Sequence, residues 1–433
     1  MAASVKTLPT GFRRLWTAQT VSSLGDGVSH AALPLIALAL TRDPMALAVV
    51  TAAGALPWLI FGVLGGALVD RWDRRRTMWV VDAARAALLA IPAAAAALDV
   101  LSIPLLAATA FLLGLGGLFF DTAATAYLPD LLGRDPVLLE RANSRLRSTQ
   151  TAMSGFAGPP AGSVLLALGR AVPLLADAVS FALSALLVRS LPAVPRPVPE
   201  IRESLLRQAR AGASYVVRDR LLLGLALRPA VGNVAFLAVE TVLALFAHDR
   251  LGIDTYGFGL LLTAEATGGL LGAGIASRLG RQLGTGTALT CTAAIEGLAV
   301  LGLASASNPY AAGLALAVCG AGMGATMVLA PSLRQAIVPA HLMGRVASTS
   351  RMLAMCAAPL GAFAGGWLAT AHGVRTPLYA AAGLLLAMTA VTAPMTSNRR
   401  VEAALRAAAP AEDGPDRPAS RAPARESAPG SSG

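Results

Sequence analysis

Charged residues are scarce in this sequence: Asp, Glu, Lys and Arg make up 14% of its 433 residues, whereas a soluble domain averages about 25%. Hydrophobic residues make up 55%, and the mean hydropathy is +0.63. A soluble chain of this length would divide into domains whose surfaces need more charge than this. The composition therefore excludes a set of ordinary soluble domains and a disordered or collagen-like chain, and it predicts a polytopic membrane protein.

Nucleotide-binding, metal-binding and catalytic motifs are also missing. The only lysine, Lys6, is not part of a Gly-Lys-Ser/Thr phosphate loop, so the chain is not itself an ATP-driven pump of that type. The sequence contains no His-Glu-x-x-His or Gly-x-Ser-x-Gly motif. Its three cysteines stand too far apart for a Cys-x-x-Cys zinc motif. We therefore expect no enzymatic activity, no cofactor and no metal site.

The formal net charge of +11 has two possible meanings. In a soluble protein it would suggest nucleic-acid binding. In membrane proteins, Arg and Lys instead accumulate in the cytoplasmic loops, so we expect the lipid bilayer, and no nucleic acid, as a partner. The first 14 residues are polar and basic without a cleavable signal pattern. The first apolar span must then direct insertion itself.

Twelve apolar stretches reach the length of about 20 residues that a transmembrane helix needs. They are residues 15–41, 46–69, 77–97, 101–125, 146–168, 171–191, 221–247, 256–277, 285–304, 309–330, 343–371 and 375–395. If the N-terminus is cytoplasmic, the spans leave few basic residues outside: Arg42, Arg170, Arg250 and Arg375. The positive-inside rule therefore predicts a multi-pass protein of the inner or plasma membrane with both termini in the cytoplasm.

A polar, proline-rich stretch divides the spans into two sets of six. We predict a cytoplasmic N-terminus (1–14), a six-helix bundle (15–191), a cytoplasmic linker with an amphipathic helix (192–220), a second bundle (221–395) and a disordered cytoplasmic tail (396–433). Short repeats relate the bundles, since Arg145 and Pro159 recur as Arg345 and Pro359. Six plus six helices with internal repeats are typical of secondary transporters.

The loop after the second span carries the most specific motif, Gly66-Ala67-Leu68-Val69-Asp70-Arg71-Trp72-Asp73-Arg74. It resembles motif A of the major facilitator superfamily, Gly-x-x-x-Asp-Arg-x-Gly-Arg, with Asp73 in place of Gly. The resemblance implies a conformational gate formed by Gly66, Asp70, Arg71 and Arg74. We expect Asp70 to hold the start of the eleventh span, and Asp121 to pair with the arginine cluster.

A second motif lies in the fifth span, where Gly158, Pro159 and Gly162 resemble the antiporter motif of exporters in this superfamily. Leu15-Trp16-Thr17-Ala18-Gln19 and other stretches are similar to the bacterial branch that includes enterobactin exporters and macrolide efflux proteins. The resemblance covers roughly residues 11–395. It implies an all-α major facilitator fold with 12 transmembrane helices in two six-helix bundles, which expose a central site to each side in turn.

Ionisable residues inside membrane helices are costly and usually functional. We therefore take four residues as candidates for proton coupling: Asp26, His30, Glu240 and Glu265. Asp26 and His30 share one helix face, and we expect the carboxylate and imidazole to be neighbours. Arg228 and Asn233 are candidates for contact with substrate. Asp82 and Arg85 should pair for structural reasons, and Glu296, on the ninth span, is given less weight because it could face away from the cavity.

These features predict a monomeric, proton-coupled exporter of a lipophilic or amphipathic small molecule such as a drug, a natural product or a siderophore. One alternative is a symporter that imports a metabolite, which differs in the direction of flux. Another is a non-transporting membrane sensor or scaffold, which would need a folded soluble output domain. The sequence does not name the substrate or the proton stoichiometry.

Overall fold

The computed structural model describes residues 8–69, 72–133, 135–192 and 213–408, which form helices joined by short turns. In chain order they are α1 (Thr10–Leu40), α2 (Pro44–Val69), α3 (Arg74–Ala97), α4 (Ile103–Leu132), α5 (136–168), α6 (Ala171–Arg189), α7 (Arg220–Leu251), α8 (Thr255–Leu283), α9 (Thr285–Ser305), α10 (Pro309–Ile337), α11 (Ala340–His372), α12 (Thr376–Thr392) and α13 (Asn398–Ala408). In α5, α-helices Pro136–Gln150 and Gly158–Leu168 flank a π-helical segment, Thr151–Ala157.

Each predicted span coincides with a helix of the structure. Among the described residues, ten helices are long and apolar enough to cross a membrane: α1 to α4 and α6 to α11. The chain is therefore an all-helical, multi-pass membrane protein. Helix α5 contains the π-helical segment, and α12 is a shorter apolar helix. The count of twelve spans stays a prediction for these two.

Short polar residues begin many of the helices. Asp73, Asp219 and Asp254 each accept a backbone N–H from the first turn of α3, α7 and α8, respectively. Asn308 does the same for α10. Such caps satisfy amide groups that have no partner within the helix. Asp73, the residue that departs from motif A, thus has a structural reason to be there, since it caps α3.

Glycines allow neighbouring helices to approach backbone to backbone. A Cβ atom at Gly268 or Gly272 of α8 would collide with the carbonyl groups of Ala317 and Ala321 on α10. Both pairs of residues stand four apart, which is the small-xxx-small pattern of packed membrane helices. In a bilayer, where lipid tails are as apolar as Leu, such close packing is a main source of helix association.

The protein has two halves, the N-half (α1–α6) and the C-half (α7–α12). Of the three apolar cores formed by the described residues, only the core at one end of the bundle contains residues of both halves. We call this the distal end: it carries the turns at 41–43, 252–254 and 373–375. One apolar core there includes residues of both halves, such as Ile36, Phe181 and Phe246. At the opposite end, the terminal end, one core belongs to the N-half and another to the C-half. The structure is therefore closed at the distal end.

The start of the C-terminal tail differs from the prediction. Residues Asn398–Ala408 form α13 instead of a disordered segment. Val401 of this helix is buried in the terminal-end core of the C-half, and the Asn398 side chain donates to the carbonyl of Leu283 at 2.8 Å. The prediction of disorder was based on the composition of the whole tail, in which this short amphipathic helix is not apparent. Residues 409–433, and residues 193–212 of the predicted linker with most of its amphipathic helix, lie outside the described part of the chain.

Candidate functional site

Two cavities lie deep in the helical bundle. The C-half cavity, with a volume of about 170 Å³, is lined by α7 to α10 and α12, together with His30 of α1. The interhalf cavity, with a volume of about 350 Å³, is lined by α1, α2 and α4 of the N-half and α7 of the C-half. Both walls are mostly apolar, and His30 and Glu240 line both cavities. The two cavities are therefore neighbours.

His30 and Glu240 form a contact between the halves. His30 Nδ1 lies 3.5 Å from Glu240 Oε1, which places the imidazole beside a carboxylate of α7. The expected neighbour of His30 was Asp26, four residues earlier on α1. Asp26 instead lies beside Arg85 of α3, with 3.8 Å between Asp26 Oδ1 and Arg85 Nη2. Each of the two residues thus has its partner on a different neighbouring helix, Asp26 on α3 and His30 on α7.

Arg85 is the centre of a charged group inside the N-half. Its Nη1 atom lies 3.6 Å from Asp82 Oδ1, which confirms the predicted pair. The Ser184 hydroxyl donates to the other oxygen of the fully buried Asp82 at 2.6 Å. The guanidinium carbon also lies 4.1 Å from the centre of the Phe181 ring. Arg85 thus retains a buried carboxylate partner in addition to the half-exposed Asp26.

Three glutamates of the C-half line the C-half cavity: Glu240, Glu265 and Glu296. The Thr326 hydroxyl lies 3.2 Å from Glu296 Oε1 and can donate to it. Glu296 therefore faces the cavity, although it was given less weight because a ninth-span residue could face away. The sequence held no signal for this, because α9 is apolar almost throughout and its faces are not distinguished by polarity.

Arg228 is committed to protein contacts. Its Nε donates to the Thr392 hydroxyl at 2.9 Å, its Nη1 donates to the Leu289 carbonyl, and its Nη2 donates to the hydroxyls of Thr290 and Thr396, both at 3.2 Å. These bonds join α7 to α9 and to the end of α12. Asn233, which also lines the C-half cavity, donates to the Ala354 carbonyl of α11 at 3.0 Å. The contacts of Arg228 favour a structural role over substrate contact.

The Arg228→Leu variant is expected to lose about 2–4 kcal/mol of stability, because it removes charge-assisted hydrogen bonds from a buried site. Thermal unfolding in detergent would measure this. Arg281→Leu, on an exposed position of α8, is the matched control and should unfold near the parent temperature. If Arg228→Leu is as stable as the control but loses substrate binding, Arg228 is a substrate contact after all.

The antiporter motif brings α5 against α1. A Cβ atom on Gly158 would lie 2.5 Å from the Gly27 Cα, and one on Gly162 would collide with the Val28 carbonyl. The π-helical segment ends just before Pro159 and Pro160, which have no N–H to offer the preceding turn. The motif therefore produces both a close helix contact and a local change of helix type.

Motif A is only partly described by the structure. Asp70, Arg71 and the surroundings of Gly66 lie outside the described part. Arg74 pairs with Asp130 at the terminal end of α4, and it also donates to the Ala126 carbonyl at 3.1 Å. Asp121 was expected to pair with the arginine cluster, but the partner of Arg74 is Asp130, and Arg71 of the cluster lies outside the described part. Asp121 stands nine residues earlier, about two and a half helical turns away and on the other side of α4.

Asp121 belongs to a deeper group of charges. It lies within electrostatic range of Asp26 and Arg85 in the N-half and of Arg351 in the C-half. Asp130 was not predicted as the partner of Arg74. Its position in the last turn of α4, at the end of the bundle where Arg74 begins α3, is the signal that could have identified it.

Arg74→Ala and Asp130→Ala are each expected to impair transport while the protein still reaches the membrane. We expect each to shift the balance between the two open states by about 1–3 kcal/mol, the usual scale of conformational coupling. The double variant should be no worse than either single variant, because the two residues form one contact. Initial transport rates and membrane yield would test this, and additive losses would contradict a shared role.

Comparison with known proteins is consistent with this geometry. A family model described as transmembrane secretion effector matches residues 7–415. The multidrug efflux pump Tap of Mycolicibacterium fortuitum is 28% identical over 389 residues, covering 87% of this chain and 94% of that protein. Tap of Mycobacterium tuberculosis is 28% identical over 386 residues, covering 84% and 88%. A bacterial homologue of the iron transporter ferroportin, solved in an inward-facing state, superposes with a TM-score of 0.72 at 17% identity, covering 90% of this chain and 100% of that one.

Proposed function

Because the chain belongs to the transmembrane secretion effector family of the major facilitator superfamily, we propose that this membrane transporter exports amphipathic small molecules in exchange for protons. Its relatives named multidrug efflux pumps support the direction of transport. The substrate is bound from the cytoplasm and released outside. The closed distal end is then the outer end, and the terminal end is the cytoplasmic end.

The charged residues of the C-half cavity are the observation from which we infer the class of substrate. Its wall is largely apolar, but three carboxyl groups face it, from Glu240, Glu265 and Glu296. Among the described residues that line this cavity, Arg228 is the one arginine, and its guanidinium is occupied by hydrogen bonds to the protein. Carboxylates in an apolar site attract positive charge strongly, because water does not screen them. The cavity therefore suits a lipophilic molecule with a positive charge or a basic nitrogen.

Proton coupling is assigned to carboxyl groups that face the space between the halves. Glu240 touches His30 across that space in the distal-closed structure, and Asp26 lies half-exposed beside Arg85. When the distal end opens, α1 and α7 separate, and the carboxylate of Glu240 loses its contact with the imidazole of His30. Protonation from outside then removes the negative charge that holds a cationic substrate. Return to the distal-closed state carries the proton to the cytoplasm.

Export can be tested with purified protein in proteoliposomes that contain ethidium, a lipophilic cation. We expect an inward proton gradient to drive ethidium against its own gradient in the export direction, and a protonophore to abolish this. The Asp26→Asn variant described below serves as the uncoupled control. Proton-driven accumulation in the opposite direction would favour the symporter, and absence of any flux for a panel of amphipathic cations and neutral molecules would favour a non-transporting protein.

The orientation of the chain has its own test. Cysteines at Ser204 and Ser420, introduced in a background without the native cysteines, should resist a membrane-impermeant thiol reagent in intact cells, because both positions are assigned to the cytoplasm by the distribution of arginines. Permeabilised cells provide the control for reactivity. Labelling of either cysteine in intact cells would overturn the assigned topology.

A further inference from the structure

One arginine-on-aromatic contact joins the two halves of the protein. Among the described residues, guanidinium groups lie over aromatic rings in the pairs Arg85–Phe181, Arg145–Trp16, Arg189–Trp79 and Arg351–Trp58. The first three of these pairs lie within the N-half. In the last, Arg351 of α11 reaches across to Trp58 of α2, and its guanidinium carbon lies 5.0 Å from the ring centre.

Trp58 is also part of the wall of the interhalf cavity. It is the lining residue of α2 nearest the terminal end, because α2 runs from the distal end at Pro44 to the terminal end at Val69. The Trp58 side chain is half-buried and Arg351 is exposed. The contact therefore lies at the side of the cavity from which the proposed substrate enters.

Acidic side chains belong to the same region of the bundle as this contact. Asp121 of α4 lies within electrostatic range of both Arg351 and Asp26. The Asp26 side chain is half-exposed, and its salt-bridge partner Arg85 is shared with Asp82. Carboxylates outnumber the guanidinium groups in this group of residues. A positive charge over Trp58 is attracted by the face of the ring, as the position of the Arg351 guanidinium shows.

We propose that Trp58 is the aromatic platform of a second substrate subsite, in the interhalf cavity, and that Arg351 occupies this platform until a cationic substrate displaces it. Displacement breaks a contact between α2 and α11, so arrival of the substrate loosens the two halves. The inference rests on the proposed export of positively charged amphipathic molecules. It adds the site where they first bind and a residue that competes with them.

The competition favours the substrate for a physical reason. Arg351 is exposed, so its guanidinium keeps much of its hydration and its attraction to the ring is at the weak end of the cation–π range. A large organic cation with delocalised charge is weakly hydrated, and it covers more of the indole face. Removing Arg351 should therefore free the platform and strengthen binding, whereas removing Trp58 should weaken it.

The experiment measures equilibrium binding of ethidium to the full-length protein in detergent micelles. Arg351→Gln should bind ethidium about two- to fivefold more tightly than the parent, the range that an exposed cation–π contact represents. Trp58→Leu should bind it more weakly by a similar factor, and Arg351→Gln should have no further effect in the Trp58→Leu background. Arg145→Gln, which breaks a contact of the same type inside the N-half, should bind like the parent.

Trp58→Phe guards against a folding defect, because it keeps an aromatic face in a smaller side chain and should give intermediate affinity. Equal affinity in the parent and Arg351→Gln, or a gain that persists without Trp58, would overturn the inference. Ethidium export by the parent separates the two proposals. Active export with unchanged affinity in Arg351→Gln refutes only the subsite, while Trp58-dependent binding without proton-driven export refutes only the exchange mechanism.

Discussion

The Asp26→Asn variant is expected to lose proton-driven, uphill export while still exchanging substrate down its gradient. Asp26 lies near the middle of α1, where a bare charge in a membrane protein is costly. Its carboxylate lies beside Arg85, and the side chain is half-exposed, so a proton can reach it. Asn keeps the size of the side chain but cannot bind and release a proton. Uphill transport should fall to background, and downhill exchange should stay within about threefold of the parent.

The fold should survive this substitution because Arg85 keeps Asp82 as a buried partner. Asp177→Asn is the matched control: Asp177 is another aspartate of the N-half, but it is buried, accepts hydrogen bonds from Ser29 and Ser180 and serves the packing of α1 on α6. That variant should retain coupling. If Asp26→Asn concentrates ethidium as well as the parent does, Asp26 is structural, and Glu240 or Glu265 becomes the coupling residue.

The Gly366→Leu variant is expected to hold the distal end open. A Cβ atom on Gly366 of α11 would collide with the Ala48 Cβ and lie 3.0 Å from the Pro44 carbonyl oxygen, both on α2. A leucine cannot fit there, because one of the obstacles is the backbone of the other half. The distal-closed state should become less favourable by about 1–3 kcal/mol or more, and transport should fall with it.

A cross-link at the distal end can report the shift. Arg42 and Asp249 lie in different halves, 3.7 Å apart at their charged atoms. Cysteines at these two positions, in a background without native cysteines, should react readily with a short bifunctional reagent in the parent and poorly in Gly366→Leu. Gly383→Leu is the control, because a Cβ at Gly383 meets nothing within 4 Å. Unchanged cross-linking in Gly366→Leu would show that the halves separate elsewhere.

The spans and the family could be read from the sequence, since hydropathy, arginine distribution and motif A all act locally along the chain. The partners of the ionisable residues could not be predicted from the sequence. The i, i+4 spacing places Asp26 and His30 on one face of α1, but it does not say that α3 brings Arg85 to one and α7 brings Glu240 to the other. Contacts between helices depend on rotation and depth, which an almost uniformly apolar sequence leaves undetermined.

Arg228 is a residue whose role was predicted incompletely for the same reason, because its partners lie on other helices. An arginine within an apolar span suggests a ligand site, because a buried charge is expensive without a purpose. Its purpose emerges only when the threonine-rich end of α12 and the carbonyl of Leu289 are seen to meet it. Asp73 is the converse case, since a departure from a family motif proved to follow an ordinary local rule of helix capping.

The π-helical segment of α5 has a consequence for how lengths vary among relatives. Thr149 accepts a hydrogen bond from Trp16 of α1, and Gly158, nine residues later, also packs on α1. In an unbroken α-helix these two positions would point in opposite directions. The π-helical turns between them contain more residues per turn than an α-helix, and this difference brings both positions to the side of α5 that faces α1. We therefore expect 151–157 to be the place in α5 where an alignment can absorb a single-residue gap, since a gap on either side would turn one contact surface away from α1.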